Sequence, residues 1–125
     1  FEKIINNLFK DCQKSFCLNL EFFNHQKKNF KYIAGENLLI DPIFNSKFER
    51  LFSDERSKEN FHKDFASSVQ KIFEFFFEKI INKIIKKNYS RNIVYSGGCA
   101  LNSSANKFLT DQNNFFKNIA FWIES

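Results

Sequence analysis

Over residues 61–87, apolar side chains recur at Phe61, Phe65, Val69, Ile72, Phe73, Phe76, Ile80 and Ile84, with Asp64, Ser68, Lys71, Glu74, Glu78, Asn82 and Lys86 on the opposite stripe. Neither Gly nor Pro interrupts the run. Steps of three and four residues predict one amphipathic helix, and at 1.5 Å per residue it runs about 40 Å. Asp64 sits near its positive end and Lys86 and Lys87 near its negative end, where the helix dipole favours them. Phe75, Phe77, Ile81 and Ile85 flank the main stripe and widen the apolar face. A helix of that kind must bury itself against a sheet or other helices, so the Phe-rich stretch 73–77 reads as core rather than as a cofactor box. Left uncovered, it is an aggregation hazard.

After Asn88 the period changes. Asn92-Ile93-Val94-Tyr95-Ser96 reads as a buried strand that ends at Gly97-Gly98, and Leu101, Ala105, Phe108 and Leu109 then resume helical spacing. Residues 118–123 read as a second strand. Strand, glycine turn, helix and strand in so short a span predict a βαβ unit with parallel strands and a right-handed crossover. The glycine pair lies at the carboxyl end of the first strand, where open α/β sheets bind ligands. Two glycines permit positive φ and let a ligand approach with no Cβ in the way. The following helix aims free N–H groups at the same spot, which suits a phosphate. Asn102 and Asn106, one helical turn apart, place two amides where both can face one ligand. The plainer alternative is a turn that uses glycine only to pack.

Ahead of the long helix, residues 2–10 predict a short helix with Ile4, Ile5, Leu8 and Phe9 on one side. Residues 16–22 alternate through Phe16, Leu18, Leu20 and Phe22, residues 30–34 end at Gly35, and a polar connector separates them, so a β-hairpin is expected. Residues 47–52 predict a further short helix. The fold class is therefore α/β: an N-terminal β-hairpin region, one long helix, then a βαβ unit. Residues 1–125 are read as one partial domain, because the chain has no Met, starts at Phe1 and closes on a strand-like segment.

Composition narrows the function classes. Phe, Lys, Asn and Ile make up about half of the 125 residues. All four have A/T-rich codons, which discounts the net charge of +5. Arg50, Arg56 and Arg91 are the only arginines, so the forks and clustered basic patches of nucleic-acid readers are missing and no nucleic-acid partner is expected. At 43% hydrophobic and 26% charged residues the chain is globular. No apolar run reaches membrane-spanning length and no signal peptide is evident, so a cytoplasmic protein without a membrane partner is expected. Cys12, Cys17 and Cys99 lack CxxC or Cys/His spacing and are read as three reduced thiols.

Tyr95-Ser96-Gly97-Gly98-Cys99-Ala100-Leu101-Asn102-Ser103-Ser104-Ala105-Asn106 resembles the GG-x-A-L-N-x-x-A-N signature of the large bacterial O-carbamoyltransferases, which include nodulation-factor and antibiotic-tailoring enzymes. His62-Lys63-Asp64-Phe65-Ala66-Ser67-Ser68-Val69-Gln70 resembles their H-x-D-h-A-x-S-h-Q helix opening at the expected distance upstream. Residues 18–25 and 48–56 resemble the preceding segment and the connector, so the resemblance covers most of the chain in order. The three-part spacing is specific, whereas the glycine motif alone recurs across related ATPases.

The resemblance implies the second lobe of an actin-like ATPase (ribonuclease H-like) catalytic domain. It further implies that carbamoyl phosphate and ATP give carbamoyl-adenylate, whose carbamoyl group passes to a hydroxyl acceptor on a sugar or natural product. Gly97 and Gly98 would lie against the nucleotide and Asn102 would hydrogen-bond to it. The family's N-terminal lobe, its adenylate-forming domain and its ligands for a divalent metal are expected outside these residues, so the isolated chain is expected to be inactive. His25 and His62 do not fall on metal-ligand positions and read as ordinary polar residues. Cys99 stands where many relatives carry Val and reads as a small apolar replacement rather than a nucleophile. The resemblance assigns no catalytic residue to this chain and leaves the acceptor and the oligomeric state open. Two alternatives stand beside it. One is a tRNA threonylcarbamoyl-adenosine enzyme or sugar kinase of the same superfamily, against which the H-x-D-h-A-x-S-h-Q opening argues. The other is a non-catalytic helical interaction module.

Overall fold

Helix α1 (Glu2–Leu8) opens the chain and buries Ile4 and Leu8. The computed structural model describes residues 1–10, 17–24 and 43–122, which form a mixed α/β structure divided into two compact units, Phe1–Val69 and Gln70–Ser125.

In the first unit α1 stops short of the expected residue 10, because Phe9 turns extended (φ −122°, ψ 149°). Strand β1 (Phe9–Lys10) then pairs antiparallel with β2 (Cys17–Leu18), Phe9 opposite Leu18 and Lys10 opposite Cys17. The strand expected over 16–22 is thus cut to two residues among those described. Asn19 accepts from the Glu21 N–H, and Leu20–Phe22 closes into a 3-10 turn. A short polar side chain that bonds its own backbone competes with ladder formation in this way. The expected hairpin partner, residues 30–34, lies outside the described residues, as do Cys12 and His25. The expectation of three reduced thiols is corrected at Cys17, which is disulfide-bonded, whereas Cys99 is free and exposed. Spacing without a CxxC motif carried no information on which sulfur atoms folding brings together.

Helix α2 (Ser46–Leu51) begins where the spacing over 47–52 placed it, capped by Asn45, whose side chain accepts from the Lys47 and Phe48 N–H groups. Helix α3 (Ser53–Arg56) follows directly. Phe48 and Phe52 are buried, and Phe65 meets the rings of Phe44, Phe48 and Phe52 edge-on at 6.0, 5.5 and 5.8 Å. Perpendicular contacts of this kind place positive ring edges on negative ring faces. Lys3 Nζ closes the unit at 2.6 Å from Glu55 Oε1 and holds that carboxyl below its ordinary value.

Helix α4 (Phe61–Lys87) has the length and limits the periodicity predicts. Its remainder from Gln70 belongs to the second unit, with β3 (Asn92–Ser96), a 3-10 turn (Gly98–Leu101), α5 (Ser103–Thr110) and β4 (Asn118–Trp122). Strands β3 and β4 are parallel, in register from Asn92 opposite Asn118 to Ser96 opposite Trp122, and α5 connects them as the βαβ reading requires. Phe77, Ile81, Ala105, Leu109 and Phe116 form the core, with Phe73, Ile85, Ile93, Tyr95 and Ile119 packed on it.

Two expectations are corrected here. Strand β3 is not buried on both faces: Ile93 and Tyr95 face the core, whereas Val94 is 69% exposed. Leu101 is 65% exposed, because it ends the 3-10 turn and precedes the helix whose face it was expected to share. No helix among the described residues is long and apolar enough to cross a membrane.

Candidate functional site

At the carboxyl end of β3 the backbone reverses through Gly97, whose φ of 93° and ψ of 177° lie in a region that only glycine occupies without strain. Gly98 is different. Its φ is not positive, and a Cβ built on it meets no atom within 4 Å. Neither packing nor conformation therefore calls for glycine at 98, and the space in front of it is open.

From Gly98 the chain winds through one 3-10 turn, with Ala100 N–H donating to Gly97 O at 2.9 Å and Asn102 N–H to Cys99 O at 3.1 Å. The first N–H groups of such a turn have no partner within it. Asn106 Nδ2 pins the turn from below by donating to Ala100 O at 2.7 Å. Asn106 Oδ1 is left buried with no partner among the described residues. An orphaned acceptor of that kind costs about 1–3 kcal/mol unless a water or a ligand N–H satisfies it. Asn106 thus braces the turn with one of its two amide hydrogens.

Asn102 is the N-cap of α5. Its Oδ1 accepts from Ala105 N–H at 3.1 Å and from Gln70 Nε2 at 3.0 Å, and its Nδ2 donates to Gln70 Oε1 at 2.9 Å. The backbone donor at Ala105 decides which way the Asn102 amide points, and that decides the orientation of Gln70 in turn. With its nitrogen on Asn102, Gln70 Nε2 spends its second hydrogen on Glu74 Oε1 at 2.7 Å. Hydrogen bonds from Gln70 and then from Ser104 hold the Glu74 carboxyl below its ordinary value. One N–H of the Asn102 amide is left over once these bonds are made.

The fold therefore brings the end of the 62–70 signature onto the 97–106 signature through a reciprocal amide pair. Of the sequence-predicted residues, Gly97 and Gly98 are exposed at the turn, Asn102 at its end is half-buried, and Asn106 braces it through Ala100 O. His62 is exposed on α4 against the Phe61 ring, in the first unit, and takes no part. Gln70, Glu74 and Ser104 were missed as site residues. Gln70 stood in the quoted motif, but nothing in the spacing tells that it meets Asn102, 32 residues away.

The residues present fit an anion or nucleotide at the turn: open space before Gly98, unpaired backbone N–H groups, and one spare amide N–H on Asn102. They do not fit a metal ion, since no group of three or more His, Cys, Asp or Glu among the described residues is arranged to hold one. Cys99 is free and exposed within the turn, and Tyr95, whose phenol is pushed up by burial and then by Cys99, faces the core.

Compared with known proteins, the chain matches over residues 2–124 the family model described as the carbamoyltransferase N-terminus. No curated protein and no solved structure matches it.

Proposed function

The chain belongs to the carbamoyltransferase family, and from that premise we propose that its second unit is the nucleotide-binding part of an O-carbamoyltransferase of actin-like ATPase fold. In this reading residues 1–125 are one partial domain of the catalytic domain of a cytoplasmic biosynthetic enzyme. ATP lies against Gly97 and Gly98, with its phosphates on the unpaired N–H groups of the turn. The spare N–H of Asn102 donates to it. The substrates are carbamoyl phosphate, activated as carbamoyl-adenylate, and a hydroxyl on a sugar or natural product.

The observation that carries the reading is Gly98. Glycine is there without a conformational reason and without a neighbour that a side chain would strike. A ligand surface supplies the missing reason. What these residues contribute is binding and orientation: dipoles fixed in advance at the place where phosphate charge must be held. No residue here is assigned to the transfer step or to a metal, so the chain by itself is expected to transfer no carbamoyl group.

Hydrogen exchange on the folded chain with and without ATP tests this. Protection confined to residues 97–102 is expected, and Gly98→Val is expected to abolish it while leaving helix content unchanged. No protection anywhere, in a folded sample, would favour the non-catalytic interaction module, with the glycines merely turning the chain.

A further inference from the structure

We propose that Gln70 and Glu74, two residues of α4, are positioning residues for the ligand bound at the glycine turn. This rests on the nucleotide reading of the turn and goes beyond it, since it assigns affinity to side chains on another helix.

Asn102 has two tasks. Its oxygen caps α5 through Ala105 N–H, and its nitrogen keeps one hydrogen that none of these bonds uses. A cap alone leaves the amide free to rock about its last torsion, because one backbone N–H fixes the oxygen and not the plane. The pair with Gln70 supplies two further bonds, at 3.0 and 2.9 Å, and these fix the plane. Gln70 in turn would be free to rotate away. Its second Nε2 hydrogen is held at 2.7 Å by Glu74, whose carboxyl Gln70 and then Ser104 hold below its ordinary value.

The contacts run as a relay from Glu74 through Gln70 to the Asn102 cap of α5. All four amide hydrogens of the pair are then accounted for except one, and that one is aimed by elimination. Holding a donor in place before the ligand arrives removes the ordering cost from the binding step.

The test separates aiming from simple stapling. On the full chain, ATP affinity is measured by titration, and Ala105 N–H exchange is measured without ATP as the readout of the cap. Gln70→Leu and Glu74→Leu are each expected to weaken ATP by about tenfold, the scale of one hydrogen bond. The double variant is expected to be no weaker than Gln70→Leu, since both act through one amide. Glu74→Gln keeps an acceptor for Gln70 Nε2 and is expected to bind like the parent. In all four, Ala105 protection is expected to persist.

Wild-type affinity in Gln70→Leu, with ATP still protecting residues 97–102, would overturn the proposal and leave the nucleotide reading standing. Weakened affinity with a matching loss of Ala105 protection would also overturn it, making Gln70 a staple of the fold. A parent chain that is folded and binds no ATP would overturn both.

Discussion

Gly97 and Gly98 are neighbours with opposite reasons for being glycine. At Gly97 the backbone itself excludes a side chain, because φ 93° with ψ 177° brings any Cβ against its own peptide groups. Gly97→Ala is expected to destabilise the chain by about 1–3 kcal/mol, although a Cβ there meets no other residue. Gly98→Ala is expected to change stability by less than about 0.5 kcal/mol and still to weaken ATP. Denaturant unfolding of the two variants checks the contrast; equal destabilisation would mean that the glycine at 98 serves the fold.

On the scale of one element, α4 shows how a wide apolar face leaves its own orientation undecided. Periodicity put Phe76, Ile80 and Ile84 on the main stripe and Phe77, Ile81 and Ile85 on its flank. The stripe holds at Ile72, which is buried, and at Phe73, which packs on the core, but beyond them the core takes the flanking Phe77, Ile81 and Ile85, whereas Ile84 is 36% exposed. From Phe77 onward the buried side of the helix is therefore the flank. Its own pattern permits either choice, and contact with Tyr95, Ala105 and Leu109 selects one. Ile81→Ala is therefore expected to cost about 2–5 kcal/mol, and Ile84→Ala less than about 0.5 kcal/mol. Equal costs in urea unfolding would restore the stripe that periodicity alone suggests.

For the whole molecule, no polar or charged residue is buried among those described. Surface ion pairs such as Lys10–Glu21 and Lys47–Glu21 contribute little. The Glu74 carboxylate accepts from Gln70, and its pKa is lowered from the ordinary 4.5. A depressed carboxyl adds stability that is complete above 4.5 and fades as pH falls through the depressed value. The stability difference between the parent and Glu74→Gln is therefore expected to shrink as pH drops below about 4.5. A difference that stays constant down to pH 3 would remove the carboxylate from the network's energetics.

Each compact unit buries its own core, yet Val94 and Trp122 leave apolar surface on the outer face of the two-stranded parallel sheet, 69% and 64% exposed. Parallel sheets ordinarily have both faces covered. Val94→Lys is expected to raise solubility without loss of helix content, as read by centrifugation and circular dichroism.

What the sequence determined by itself was local. The span of α4, the limits of β3, the glycine turn, α5 and the parallel βαβ order all follow from period, from glycine and from the reach of short connections. The family, too, was carried by contiguous motifs. What only the tertiary structure decided was relational: that α4 turns Phe77 and Ile81 inward, that Cys17–Leu18 pairs with Phe9–Lys10, that Cys17 is disulfide-bonded, and that Gln70 meets Asn102. The physical reason is the same in each case. Backbone propensity acts over a few residues and leaves its trace in spacing, whereas a hydrogen bond or a buried contact between residues far apart in the chain exists only once folding has set their distance.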